Sequence, residues 1–307
     1  MLGKTAKPSF MRIFITGATG FVGKHTIGKF NTKEHSILAL VRNESDCECL
    51  NCEGAHLLKG DLGLFSPLKS TIKSFGPEVV IHLAWEGIPD YSEKISRINL
   101  ENSIRLIDFL CDETHCRKIV ISGSCFEYGK NNGICKETDQ TNINSFFSWA
   151  KHALYNYTAL KCEKVGVDLI WFRVFYVYGP HQRKKSLIPT LVSSFKNGIS
   201  PRITNALNKN DFIYVEDVAE AFYLAVVKKI KSGIYNLGNG NSISVYEVCN
   251  ILEKRIIGTI EMSEQIKNNC KVSQEVNFWA DMTKTKNMLN WSPKISFEHG
   301  IDRYIKF

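Results

Sequence analysis

The segment MRIFITGATGFVG, residues 11–23, runs an apolar stretch into three spaced glycines, Gly17, Gly20 and Gly23. That spacing suits the pyrophosphate of a dinucleotide. Gly17 allows a tight strand-to-helix turn, Gly20 lets the backbone approach phosphates without a Cβ in the way, and Gly23 lets the next helix pack closely on the strand. The helix opening at Phe21 and Val22 then turns free N–H groups and its positive dipole end toward the anion. Glycines also mark plain turns, but these follow a strand-like run and precede HTIGKF, an amphipathic helical pattern. The run ILALVRN, residues 37–43, has no carboxylate at Val41, where an acid would hold the ribose 2′-hydroxyl of NAD. Arg42 follows, and a guanidinium suits a 2′-phosphate. NADP is therefore expected ahead of NAD, the alternative being that Arg42 is a solvated loop cation. Cys47, Cys49 and Cys52, with His56 nearby, offer CxC and CxxC steps on a polar stretch, but the second half of a zinc site is missing and no metal is expected.

The elements that must position these residues alternate along the first half of the chain. Strand-like runs are expected at 12–16, 36–42, 55–58, 79–84, 118–122 and 167–174, with long periodic helices at 92–111 and 146–163. Runs such as VVIHLAW and KIVIS are apolar almost throughout, as strands covered on both faces are. The order predicts parallel βαβ units, and the fold class is α/β: a Rossmann-type doubly wound parallel sheet with a smaller C-terminal substrate lobe. Residues 1–10 read as a disordered lead-in, 11–175 as the dinucleotide-binding domain, and 176–210 with 241–307 as the substrate lobe. Residues 211–240 are expected to return to the first domain. A chain of 307 residues can bury such a core, and no apolar run reaches the length of a membrane span. The net charge of +8 is dispersed and forms no basic, aromatic-interleaved stripe, so no nucleic acid is expected as a partner. Ten cysteines in a chain that opens without a secretion signal read as reduced thiols of a cytoplasmic protein.

Further motifs follow in order: GDL at 60–62, HLAW at 82–85, SGSCFEYG at 122–129, FRVFYVYGP at 172–180, DFIYVEDVAEAF at 211–222, YNLGNG at 235–240, and LNWSP at 289–293 with Gly300 and Ile301 beyond. With the glycine segment they resemble, over nearly the whole chain, the extended short-chain dehydrogenase/reductase family: NAD(P)-dependent epimerases, dehydratases and reductases of nucleotide sugars. The resemblance implies cofactor contacts at Gly17, Thr19, Gly20, Phe21, Val22 and Gly23. It places Asp61 and Leu62 against the adenine, and Leu83, Ala84 and Trp85 along the cofactor, with Ser122, Lys151 and Phe175 beside it. Ser124 matches the hydroxyl that hydrogen-bonds the sugar. Lys151 matches the lysine that holds the nicotinamide ribose and lowers the pKa of a tyrosine one helical turn earlier. Relatives pair through their two long helices, so a homodimer is expected.

At that tyrosine position this chain has Phe147, and a phenyl ring carries no transferable proton. Three readings stay open: a chain that has lost the acid/base, a Tyr-to-Phe variant of an active enzyme, or a chain in which another phenol stands in. Tyr176 is one such phenol, standing where the family often has a substrate-facing asparagine. The 4,6-dehydratases carry Asp-Glu after the Ser or Thr, whereas Cys125 and Phe126 follow Ser124 here, which argues against dehydration. Glu127 comes one position too late and would point to the opposite face of an extended segment. Cys125 reads as a small buried or pocket-lining thiol without a histidine partner, and His82 as a structural histidine at the sheet edge. The segment WEGIPDY, 85–91, opens at a strand's carboxyl end and is expected to line the sugar pocket, Glu86 touching a hydroxyl, unless it is a plain surface loop. Arg183, in HQRKK, is a candidate for the diphosphate, and Asn210 for the nucleotide. The expected function is NADPH-dependent C4 reduction of a nucleotide-linked 4-keto-6-deoxysugar. The alternatives are a 4-epimerase holding NAD tightly, or a silenced binding protein.

Overall fold

The computed structural model of the chain describes residues 10–43, 54–129, 132–270 and 276–307. Cys47, Cys49 and Cys52 lie outside the described residues. Strands β1 (Met11–Thr16), β2 (His35–Val41), β3 (His56–Lys59), β4 (Val79–His82) and β5 (Lys118–Ser122) alternate with helices α1 (Phe21–Ile27), α2 (Lys69–Phe75) and α3 (Glu93–Glu113). Strand β6 (Asn132–Cys135) and helix α4 (Phe146–Val165) precede β7 (Asp168–Val174) and β8 (Tyr176–Tyr178). Then come α5 (Leu187–Lys196), β9 (Lys209–Asn210), β10 (Phe212–Tyr214), α6 (Val215–Val227) and β11 (Gly233–Leu237). Seven strands form one sheet in the order β11-β7-β5-β4-β1-β2-β3. The chain reverses winding between β1 and β4, the switch point at which such sheets bind ligands.

The described residues fall into two compact units: one up to Gly123 with Asn144–Phe172 and Ala219–Ile234, the other comprising Ser124–Ile143, Arg173–Val218 and Tyr235–Phe307. This division differs from the one drawn on the sequence. Residues 124–143 and 173–175 group with the second unit, and of 211–240 only 219–234 group with the first. The reason for that return is packing: Phe222 of α6 meets Phe172 with ring centroids 4.9 Å apart. The buried Lys118 Nζ also donates to the carbonyls of Ala225, Val226 and Lys228 at 2.9, 3.1 and 2.7 Å, a cation closing a helix C-terminus.

The first unit's core is the face of the sheet against α3 and α4, with Phe14, Val80, Ile119, Leu106, Leu110, Leu154 and Trp171 buried together. Both helices start on serine caps, Ser92 accepting from Ile95 N and Ser145 from Ser148 N. Helix α4 stops at Gly166, whose φ of +75° suits glycine. The second unit has its own core, centred on Tyr178, Phe195, Phe212, Val248 and Ile301. Among the described residues no helix is long and apolar enough to cross a membrane, and no group of histidines, cysteines and carboxylates could hold a metal ion.

Candidate functional site

The first unit opens a cleft of about 260 Å³ at the carboxyl ends of β1, β2 and β4, lined by Gly17, Thr19, Gly20, Arg42, Asp61, Leu62, Leu83, Ala84, Trp85 and Glu86. Gly17 has φ +71°, and a Cβ there would lie 2.7 Å from Ala84 N. A Cβ on Gly23 would lie 2.0 Å from Gly17 O, so α1 presses directly on the turn. The helix cap is Gly20, with no side-chain acceptor on the first turn. A cradle closed to side chains and bounded by backbone N–H groups fits a pyrophosphate. The Phe21 ring meets His25 edge-on and Val22 O accepts from Thr26 Oγ1 at 2.9 Å. Asp61 lines it with its Oδ1 accepting from Gly63 N at 2.6 Å.

Arg42 stands at the cleft rim as expected, but not alone: Glu86 brings a carboxylate oxygen to 3.6 Å from its guanidinium. A carboxylate from the loop after β4 stands beside Arg42. Glu86 thus lines the same cleft as Arg42.

Helix α3 adds residues that the sequence reading missed. Asn99, Asn102 and Ser103 line the cleft, and their spacing on one helical face was the available signal. Asn99 accepts from Glu86 N at 2.8 Å and donates to Glu86 O at 3.1 Å, clamping the loop. Ser103 donates to Asn99 O at 2.7 Å, so its oxygen accepts at 3.0 Å from His82 Nε2. The other ring nitrogen, Nδ1, then accepts from Thr16 Oγ1 at 2.7 Å. His82 is structural but not at a sheet edge, since β4 lies between β5 and β1. Burial, reinforced by the nearby Lys151 charge, holds its imidazole down to about 3, so it stays neutral.

Helix α4 carries Phe147 and Lys151 one turn apart, both buried. Lys151 Nζ donates to Ser122 O at 2.7 Å and stands 3.8 Å over the Trp85 ring. Trp85 in turn meets Phe147 edge-on at 5.6 Å. Lys151 is therefore fixed beside the cleft wall, and Ser122 contributes its carbonyl. Tyr155 packs on Trp171 and Tyr157 donates to Asp108, as ordinary core and helix-pair aromatics do.

In the second unit Ser124 caps a short helical turn, Cys125–Tyr128, and accepts from Phe126 N at 3.2 Å. Glu127 reaches back to Ser124 N at 2.8 Å and pairs with Arg173 at 3.1 Å, both side chains being essentially inaccessible. The segment is a turn and not extended, and Glu127 faces inward as a capping and ion-pairing group. Tyr128 donates to Asn236 Oδ1 at 2.6 Å under the Arg173 guanidinium. Cys125 is buried, and burial pushes its thiol well up, leaving a poor nucleophile. Phe175 lies in the core against Tyr128 and Phe278. Tyr176 packs among Phe126, Phe212 and Phe278. Asn210 sits in β9, paired in register with Ile243 and Phe278, and Arg183 is exposed.

Residues 13–238 match the sequence pattern of the NAD dependent epimerase/dehydratase family. The chain is 28% identical to UDP-glucuronate 4-epimerase of Thermodesulfobacterium geofontis, covering 95% of this chain and 94% of that protein. It is 25% identical to dTDP-4-dehydro-6-deoxyglucose reductase of Escherichia coli over 96% of each. Among solved structures, WbmG of Bordetella bronchiseptica in complex with NAD and UDP superposes with a TM-score of 0.82 at 20% identity, covering 97% of this chain and 94% of that one. That likeness establishes the fold.

Proposed function

Because this chain belongs to the NAD dependent epimerase/dehydratase family, we propose that it reduces a nucleotide-linked 4-keto-6-deoxysugar at C4, with NADPH in the glycine-lined cleft. The observation that carries this reading is Lys151, buried, held by Ser122 O and stacked over Trp85 in the cleft wall. The family reductase and epimerase relatives span the same length of chain. The bound dinucleotide supplies hydride to C4. Gly20 N closes the turn on Gly17 O at 3.0 Å, the first-turn N–H groups at Phe21 and Val22 meet the pyrophosphate, Asp61 and Leu62 border the adenine, and Arg42 takes a 2′-phosphate. Lys151 holds the nicotinamide ribose. Ser124 spends its oxygen on Phe126 N and offers its hydroxyl proton to the C4 oxygen as charge develops there. Cys125 and Phe126 carry no acid/base pair, which speaks against 4,6-dehydration. Phe146, Trp149 and Leu160 are exposed along one stripe of α4, and we assign that stripe to a homodimer contact.

The test is incubation with NADPH carrying deuterium at both C4 positions and dTDP- or CDP-linked 4-keto-6-deoxysugars. The proposal expects deuterium at sugar C4 by NMR. Absence of deuterium from the product of every such sugar, with this chain and with Phe147→Tyr, rejects the reductase. A second reading, a 4-epimerase with tightly held NAD, is favoured by Glu86, whose carboxylate stands 3.6 Å from Arg42 where a 2′-hydroxyl acceptor is wanted. Arg42→Ala separates the two. It weakens NADPH about tenfold while sparing NADH if Arg42 reads the 2′-phosphate, and affects both alike if Glu86 governs the ribose.

A further inference from the structure

The wall that holds Lys151 extends one ring further. The Tyr91 ring packs against the Phe147 ring with centroids 4.9 Å apart and planes inclined at 51°. Lys151, Trp85, Phe147 and Tyr91 therefore form one continuous stack of contacts within the first unit. The backbone on both sides of Tyr91 is fixed. Asn99 clamps Glu86 at both its N–H and its carbonyl. Asp90 N donates to Gly87 O at 2.7 Å, and Ser92 N donates to Asp90 Oδ1 at 2.8 Å. Ser92 is also the cap of α3, accepting from Ile95 N. A phenol carried on an arc tied at Glu86, Asp90 and Ser92 is positioned by the fold, as a proton donor must be.

We propose that Tyr91 is the acid that protonates the C4 oxygen, doing from the loop what Phe147 cannot do from the helix. This deepens the reductase reading and rests on it. As hydride from the nicotinamide dinucleotide forms the new C–H bond at C4, the carbonyl π pair moves onto oxygen. That oxygen takes the Tyr91 proton, so one O–H bond breaks on the phenol and one forms on the sugar. Tyr91 is 39% exposed, and the phenolate recovers its proton from water, so each turnover consumes one hydride and one solvent proton. A Tyr at position 147 would be buried at this step, whereas Tyr91 exchanges its proton directly with solvent.

The experiment compares the unmodified chain with Tyr91→Phe, Phe147→Tyr and the double variant. Tyr91→Phe should lower kcat about 100-fold or more, within the usual span for a lost general acid, while leaving NADPH affinity within threefold. Adding Phe147→Tyr to Tyr91→Phe should restore at least tenfold. A readout free of turnover uses chain labelled at tyrosine Cζ with carbon-13. The resonance missing from Tyr91→Phe should move when the nucleotide-linked 4-keto sugar is added. Turnover within threefold of the unmodified chain in Tyr91→Phe, or a Tyr91 resonance unmoved at saturating sugar, overturns the assignment and leaves the reductase standing. Turnover found only in Phe147→Tyr also overturns it. No turnover by the unmodified chain or by Phe147→Tyr rejects the reductase and Tyr91 with it.

Discussion

The glycine turn of the first unit and the Ser124 turn of the second reach their shapes in opposite ways. Gly17, Gly20 and Gly23 make a surface of backbone, in which a Cβ at Gly23 would come within 2.0 Å of a carbonyl. The Ser124 turn is made of side chains: Ser124 and Glu127 cap one another's backbone, and Glu127 is locked to Arg173 in a buried pair. A backbone cradle presents N–H groups at fixed points and leaves no room for a Cβ at Gly17 or Gly23. A side-chain turn aims one hydroxyl and depends on every partner around it. The first arrangement suits holding a large constant ligand, the second orienting a reacting atom.

The largest expected effect breaks the side-chain turn. Glu127→Gln leaves the Arg173 guanidinium buried without its counter-charge and should cost about 3–5 kcal/mol, read by denaturant unfolding; a loss under about 1 kcal/mol would mean the pair does not hold the turn. Gly23→Val breaks the backbone cradle instead. Overpacking there should cost about 3 kcal/mol and abolish dinucleotide binding, whereas unchanged affinity would show that the cradle is not the binding surface. Ser124→Ala sharpens the contrast, lowering kcat about 100-fold with NADPH affinity within threefold.

The smallest effect is in pH. His82 is held near 3 by burial and the Lys151 charge, below the unfolded value, so its contribution is complete above about pH 6.5 and is lost as pH falls toward 3. Asp211, which burial pushes up to about 6 against three backbone N–H donors, runs the other way, its contribution being lost as pH rises through 6. Relative to the unmodified chain, His82→Asn should therefore gain stability on acidification from pH 6.5 to 4.5, at about 1.4 kcal/mol per pH unit. Parallel melting curves across that range would refute the burial argument for His82.

The sheet was legible because buried parallel strands are apolar runs, and β1, β5 and β7 fall within a residue of their expected positions. The long helices were legible from periodicity, and the cradle from glycine spacing. Contacts between distant loops leave no such local trace. Glu86 beside Arg42, Glu127 on Arg173 and Tyr91 on Phe147 each join segments more than forty residues apart, with no periodicity to announce the meeting. The helical turn at Cys125–Tyr128 had a local trace: Ser124 and Glu127 spell a capping box directly after the strand that ends at Ser122. Asn99 and Ser103 were visible as a polar face of α3, but a polar face also describes a helix turned to solvent.

The central claim is that the glycine cradle holds a nicotinamide dinucleotide, and Trp85 in the cleft wall gives the most direct measurement. Titration of the chain with NADPH and NADH should quench tryptophan fluorescence saturably in the micromolar range, a signal diminished in Trp85→Phe and absent from folded Gly23→Val. Quenching that never saturates with either dinucleotide, or that persists unchanged in Gly23→Val, would contradict the account.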